Sequence, residues 1–63
     1  MLGVCRANLN RKVVIVYSEG NETKGTTGVI REANEGFVLV ETDSNRKIWI
    51  KTSTIVKIKE LIQ

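Results

Sequence analysis

The stretch Glu22-Thr23-Lys24-Gly25-Thr26-Thr27-Gly28-Val29-Ile30-Arg31-Glu32-Ala33 decides the fold of this chain. Threonine and the β-branched aliphatics favour strands. Glycine inside a strand marks a bulge, a sharp bend or the close approach of another backbone. The stretch therefore reads as one long strand bent at Gly25 and Gly28. A long bent strand lets a small sheet curl over its own core.

The flanking segments supply partners for it. Upstream, Val13-Val14-Ile15-Val16-Tyr17 is a continuous β-branched and aromatic run, too short for a comfortable helix. It predicts a strand buried on both faces. Ser18-Glu19-Gly20-Asn21 joins the two strands, and Gly20-Asn21 can supply the positive φ angles of a tight hairpin. Downstream, Asn34-Glu35-Gly36 is a second turn and Phe37-Val38-Leu39-Val40 a third strand, again apolar on both faces. Asp43-Ser44-Asn45-Arg46 turns the chain into Lys47-Ile48-Trp49-Ile50-Lys51. After the polar break Thr52-Ser53-Thr54, the last strand runs from Ile55 to Leu61. There Val56 and Ile58 alternate with Lys57 and Lys59, the pattern of a strand with one wet face. Residues 1–10 admit a short helix, with Leu2, Cys5 and Leu9 near one stripe, or an extra strand.

Five short strands with tight turns predict an all-β chain, a strongly bent open barrel forming one domain over residues 1–63. Strands apolar on both faces need cover on both. The interior covers one side. The outer side of Phe37–Val40 calls for the amino-terminal segment or another subunit.

Composition points the same way. A 63-residue chain buries only about 60% of its unfolded surface, so its core is marginal without help. Disulfides, a metal or oligomerisation usually provide that help. A single cysteine, Cys5, forms no internal disulfide, and with no histidine the chain falls short of a structural zinc site. Oligomerisation remains. The amino end lacks the apolar run of a signal peptide and no stretch approaches a membrane span, so a cytoplasmic protein is the expectation.

Catalysis has little to draw on. Without histidine there is no Ser-His or Cys-His arrangement. Gly25-Thr26-Thr27-Gly28 lacks the spacing and following helix of a phosphate loop. The expectation is a non-enzyme with no cofactor and no small-molecule substrate.

The order and spacing of these segments resemble the Sm-like superfamily, including its bacterial Hfq branch. Leu9-Asn10-Arg11-Lys12-Val13-Val14-Ile15-Val16 looks like the opening of the family's first motif. Gly20 sits at its turn glycine, and Gly28-Val29-Ile30 at its glycine-x-aliphatic step. Ile48 to Ile58 looks like the second motif, with Lys51 at the place of its basic residue. The resemblance covers about residues 9–60. It implies rings of roughly five to eight subunits that join strand four of one copy to strand five of the next. It also implies association with RNA. The uridine-binding positions depart from the family pattern: Asn34 stands at the family's Asp, its Asn falls near Phe37 or Val38, and Thr52 replaces the histidine of the Hfq branch.

The net charge of +3 and pI near 9.4 permit an anionic partner. Lys51 beside Thr52 and Ser53 would offer one cation and two hydroxyls at a subunit junction, suited to a phosphate or a base edge. Trp49 offers either cover for the barrel or a surface on which a base stacks. The candidate nucleic-acid-binding residues are thus Lys51, Thr52, Ser53, Asn34 and Trp49. Two other readings stand beside RNA binding: a structural oligomer without nucleic acid, and a monomeric small barrel associated with DNA or the ribosome.

Overall fold

In the computed structural model, which describes residues 2–61, a helix α1 (Leu2–Ala7) precedes five strands. These are β1 (Lys12–Glu19), β2 (Glu22–Ala33), β3 (Phe37–Thr42), β4 (Lys47–Lys51) and β5 (Ile55–Glu60). A 3₁₀ turn, Thr52–Thr54, joins β4 to β5. All neighbours are antiparallel, in the order β4-β3-β2-β1-β5. Among the described residues, no helix is long and apolar enough to cross a membrane.

That order forces the sheet to curl. β4 and β5 lie at opposite edges yet are joined by only three residues. In a flat sheet the outer strands would stand about 19 Å apart, four spacings of roughly 4.8 Å. The four Cα steps from Lys51 to Ile55 reach at most about 15 Å when fully extended, and a 3₁₀ turn shortens that further. The edges must therefore approach each other. They do not pair, so the sheet remains open and does not close into a barrel.

Two bulges help the curl. Ile30 pairs with Val40 and Glu32 with Leu39, leaving Arg31 as the extra residue in β2. Val16 pairs with Lys57 and Tyr17 with Ile55, leaving Val56 extra in β5. A bulge bends its strand and increases the local twist. The glycines of β2 act differently from each other. A Cβ built on Gly28 would lie 2.5 Å from the Glu41 carbonyl oxygen and 2.7 Å from Val40 Cγ1. Gly28 thus lets β3 pack tightly, whereas the nearest atom to a Cβ on Gly25 is the Ile15 carbonyl oxygen at 4.0 Å. The bend expected at both glycines rests on one close approach and a bulge three residues beyond it.

The core lies on one face. Val13, Ile15, Ile30, Val38 and Val40 are fully buried, joined by Ile50 and Ile55. Burying an aliphatic side chain of this size stabilises by roughly 1.5–3 kcal/mol. α1 adds Cys5, also fully buried, to the same cluster. The amino-terminal segment is therefore helical, and Asn10 ties it to β2 by donating its backbone N–H to the Ile30 carbonyl at 2.7 Å. At φ 63°, Asn10 turns the chain left-handed there.

Three expectations change. β1 is not buried on both faces: Val13 and Ile15 are buried while Val14 and Val16 are partly exposed. In β5 the bulge sends Ile55 inward and leaves Val56 57% exposed, so the apolar face runs Ile55–Ile58 instead of Val56–Ile58. Finally, α1 packs over the core side, so it does not cover the outer side of β3.

The hairpin turn between β1 and β2 has two residues, because Glu19 pairs with Glu22. Only Gly20 uses a positive φ, 62°, the requirement of a type II′ turn at its first central position.

Candidate nucleic-acid interface

Asn34, Lys51, Thr52 and Ser53 meet where the β2–β3 loop touches the 3₁₀ turn. The loop carries its own lock. Asn34 Oδ1 accepts hydrogen bonds from the backbone N–H groups of Gly36 and Phe37, both at 2.8 Å. Its backbone N–H also donates to the Phe37 carbonyl. Asparagine commonly closes turns in this way.

Thr52 joins the two segments. Its hydroxyl donates to the Asn34 carbonyl at 3.0 Å, and its N–H donates to the Gly36 carbonyl at 3.0 Å. Thr52 is buried, with a relative exposure of 9%. Thr54 is occupied too, donating its hydroxyl to the Lys51 carbonyl at 2.7 Å. Of the four loop candidates, Lys51 and Ser53 therefore point exposed, uncommitted side chains outward, while Asn34 and Thr52 have structural partners. The expectation of two free hydroxyls at this junction reduces to one, because the second is needed to satisfy a loop carbonyl.

Trp49 lies apart from that junction, on the outer face of β4, directly across from Leu39. It is 56% exposed. Phe37, 44% exposed, meets it edge to face with ring centroids 6.1 Å apart. Phe37 faces Lys51 in the β3–β4 register, so the aromatic pair adjoins the loop cation. The run Phe37–Val40, apolar on both faces, favours burial of Phe37 in the core, yet Phe37 lies outside it. The face it occupies depends on the β2 bulge and on what α1 covers, neither of which the run itself shows.

Where β4 and the end of β1 fail to close, a cleft of about 170 Å³ opens between Tyr17, Glu19, Trp49, Lys51 and Thr54. It places Trp49 and Lys51 beside the open edge of the sheet.

The ion pairs divide the basic residues sharply. Arg11 pairs with Glu60, Lys12 with Asp43, Lys24 with Glu19 and Arg31 with Glu41, at 3.0–3.3 Å. Every one of these cations precedes residue 32. Arg46, Lys47, Lys51, Lys57 and Lys59 form no ion pair among the described residues. They belong to β4, β5 and the turn leading into them, so positive charge without an internal partner gathers along both free edges.

Comparison with known proteins finds no family model and no curated protein that matches the chain.

Proposed function

We propose that the chain is the subunit of an Sm-like homo-oligomeric ring that binds single-stranded RNA through basic and polar residues near the subunit junctions. One observation carries the reading: among the described residues, the cations of residues 46–59 form no ion pair, while those earlier in the chain, Arg6 apart, are paired. Charges left without a partner along β4, β5 and the turn before β4 are available to phosphate oxygens. Two free edges, β4 and β5, give strands that a neighbouring copy can extend, and a ring would leave no edge unpaired. Repeating a +3 subunit multiplies a modest charge into a strongly basic surface.

Lys51 is the central contact in this reading, with Ser53 beside it and Trp49 on the adjoining face. The test combines solution mass by light scattering with RNA titration over a range of salt. The expected result is a closed oligomer whose RNA affinity falls with salt. Lys51→Ala should leave the mass unchanged and reduce the slope of log affinity against log salt by about 0.7 for each phosphate that the lysine had neutralised. A monomer at micromolar concentration refutes the ring, and an unchanged slope removes Lys51 as a phosphate ligand.

A second reading, an oligomer with a structural role and no nucleic acid, is favoured by the commitment of Asn34 and Thr52 to intrachain hydrogen bonds. It predicts the same mass and no RNA binding at low salt.

A further inference from the structure

The outer face of β3 and β4 carries an aromatic pair that the core does not use. Facing residues of antiparallel strands share a face, so Phe37, Leu39 and Glu41 on β3 lie beside Lys51, Trp49 and Lys47 on β4. Leu39 is buried at 7% exposure, which gives the patch an apolar floor. Phe37 and Trp49 stand above it at an interplanar angle of 84°. An edge-to-face contact leaves both faces of the edge-donating ring unoccupied by its partner. Large aromatics gain much from burial, so two of them this exposed on one face mark a contact surface.

The surrounding charge selects the occupant. Lys47 and Lys51 flank Trp49 on the same face, about 13 Å apart along the strand, and neither forms an ion pair among the described residues. A symmetric contact with the same patch of a second copy would set lysine against lysine. Glu32 faces Leu39 from β2 and bounds the patch on the side away from β4, while Glu41, across from Lys47, is held by Arg31. Flat apolar rings set between two free cations suit an anionic polymer that carries flat rings of its own.

We propose that Phe37 and Trp49 form a stacking platform for the unpaired bases of single-stranded nucleic acid, with Lys47 and Lys51 taking the flanking phosphates. The proposal rests on the nucleic-acid reading above and adds a second mode of contact to it. The loop junction supplies charge and one hydroxyl; the outer face supplies base stacking. Stacking is tolerant of sequence because every base has a π-face, so binding on this platform would show little base preference.

Trp49 is the sole tryptophan, so its fluorescence reports on the platform directly. The probes are a 12-nucleotide oligouridylate, a 12-base-pair RNA duplex and inorganic polyphosphate of comparable charge. The oligouridylate is expected to quench Trp49. The duplex, with its bases already stacked, and the polyphosphate, with none, are expected to leave the emission unchanged even where they bind. Trp49→Ala and Phe37→Ala should each lower oligouridylate affinity by roughly 5- to 150-fold per stacked base at fixed salt. Polyphosphate affinity and solution mass should not change. Trp49→Phe keeps a ring and should retain most of the affinity, and the quenching measurement needs no variant at all. Equal quenching by polyphosphate, or wild-type oligouridylate affinity in a folded Trp49→Ala variant, overturns the platform while leaving RNA binding intact. Failure of the wild type to bind any probe overturns both. A concentration-dependent rise in mass that Trp49→Ala abolishes, without quenching by oligouridylate, overturns the platform in favour of self-association.

Discussion

Replacing Gly28 by alanine tests the close packing of β2 on β3. The added Cβ would sit 2.5 Å from the Glu41 carbonyl oxygen and 3.0 Å from the Glu41 carbonyl carbon. Ordinary contact begins near 3.4 Å, so β3 would have to retreat by roughly 0.9 Å. Val40 Cγ1, at 2.7 Å, can be moved by rotating a side chain only into a filled core, and the backbone atoms cannot be moved that way at all. Overpacking of this kind costs about 1–3 kcal/mol. A chain of this length has a total stability of only about 3–9 kcal/mol. A loss of about 2 kcal/mol would lower the melting temperature by roughly 8–16 °C. The control is Gly25→Ala on the same strand, where the nearest atom lies at 4.0 Å and φ is not positive. There the reduced freedom of the unfolded chain should make the change neutral or stabilising by up to about 1 kcal/mol. Urea denaturation followed by Trp49 fluorescence and by circular dichroism, at one fixed protein concentration, measures both. If Gly28→Ala is as stable as the wild type, or if Gly25→Ala costs as much, the close approach of β3 is not what requires glycine at position 28.

Two further outcomes concern the loop lock and the buried thiol. Thr52→Val keeps the shape of the side chain but removes the donor to the Asn34 carbonyl, and should cost about 1–3 kcal/mol in thermal denaturation. Thr52→Ser should recover most of that loss. Burial pushes the Cys5 thiol above its ordinary value of 9.0, so the folded chain holds that proton more tightly than the unfolded chain does. Stability should therefore be level with respect to this group below pH 9 and fall as pH rises beyond it. Denaturation of Cys5→Ala between about pH 8 and pH 10 should show a shallower alkaline decline than the wild type, and parallel curves would contradict this assignment.

Much of the site is legible in the residues alone, and the part that is not has a common cause. Residue type and spacing place Lys51, Thr52, Ser53 and Asn34 in two neighbouring polar breaks. They do not show that the Thr52 hydroxyl reaches the Asn34 carbonyl, because hydrogen-bond partners 18 residues apart depend on how strands align. Nor do they show Phe37 outside the core. In a run such as Phe-Val-Leu-Val the alternation is silent, since both faces are apolar and either could face inward.

The strands, their turns and the need for curvature are written in the chain itself: β-branched runs of strand length, Gly20 where a positive φ is required, and Gly28 in a strand that must bend. These are local effects, set by backbone sterics and by what each residue's own side chain allows. Which face of each strand is wet was settled only by long-range pairing. A bulge at Arg31 and another at Val56 each insert one residue, and with a side-chain period of two such an insertion reassigns every side chain beyond it. That shift leaves Val56 exposed and carries Ile55 into the core, because the register of β5 is set by β1, a strand about 40 residues earlier in the chain.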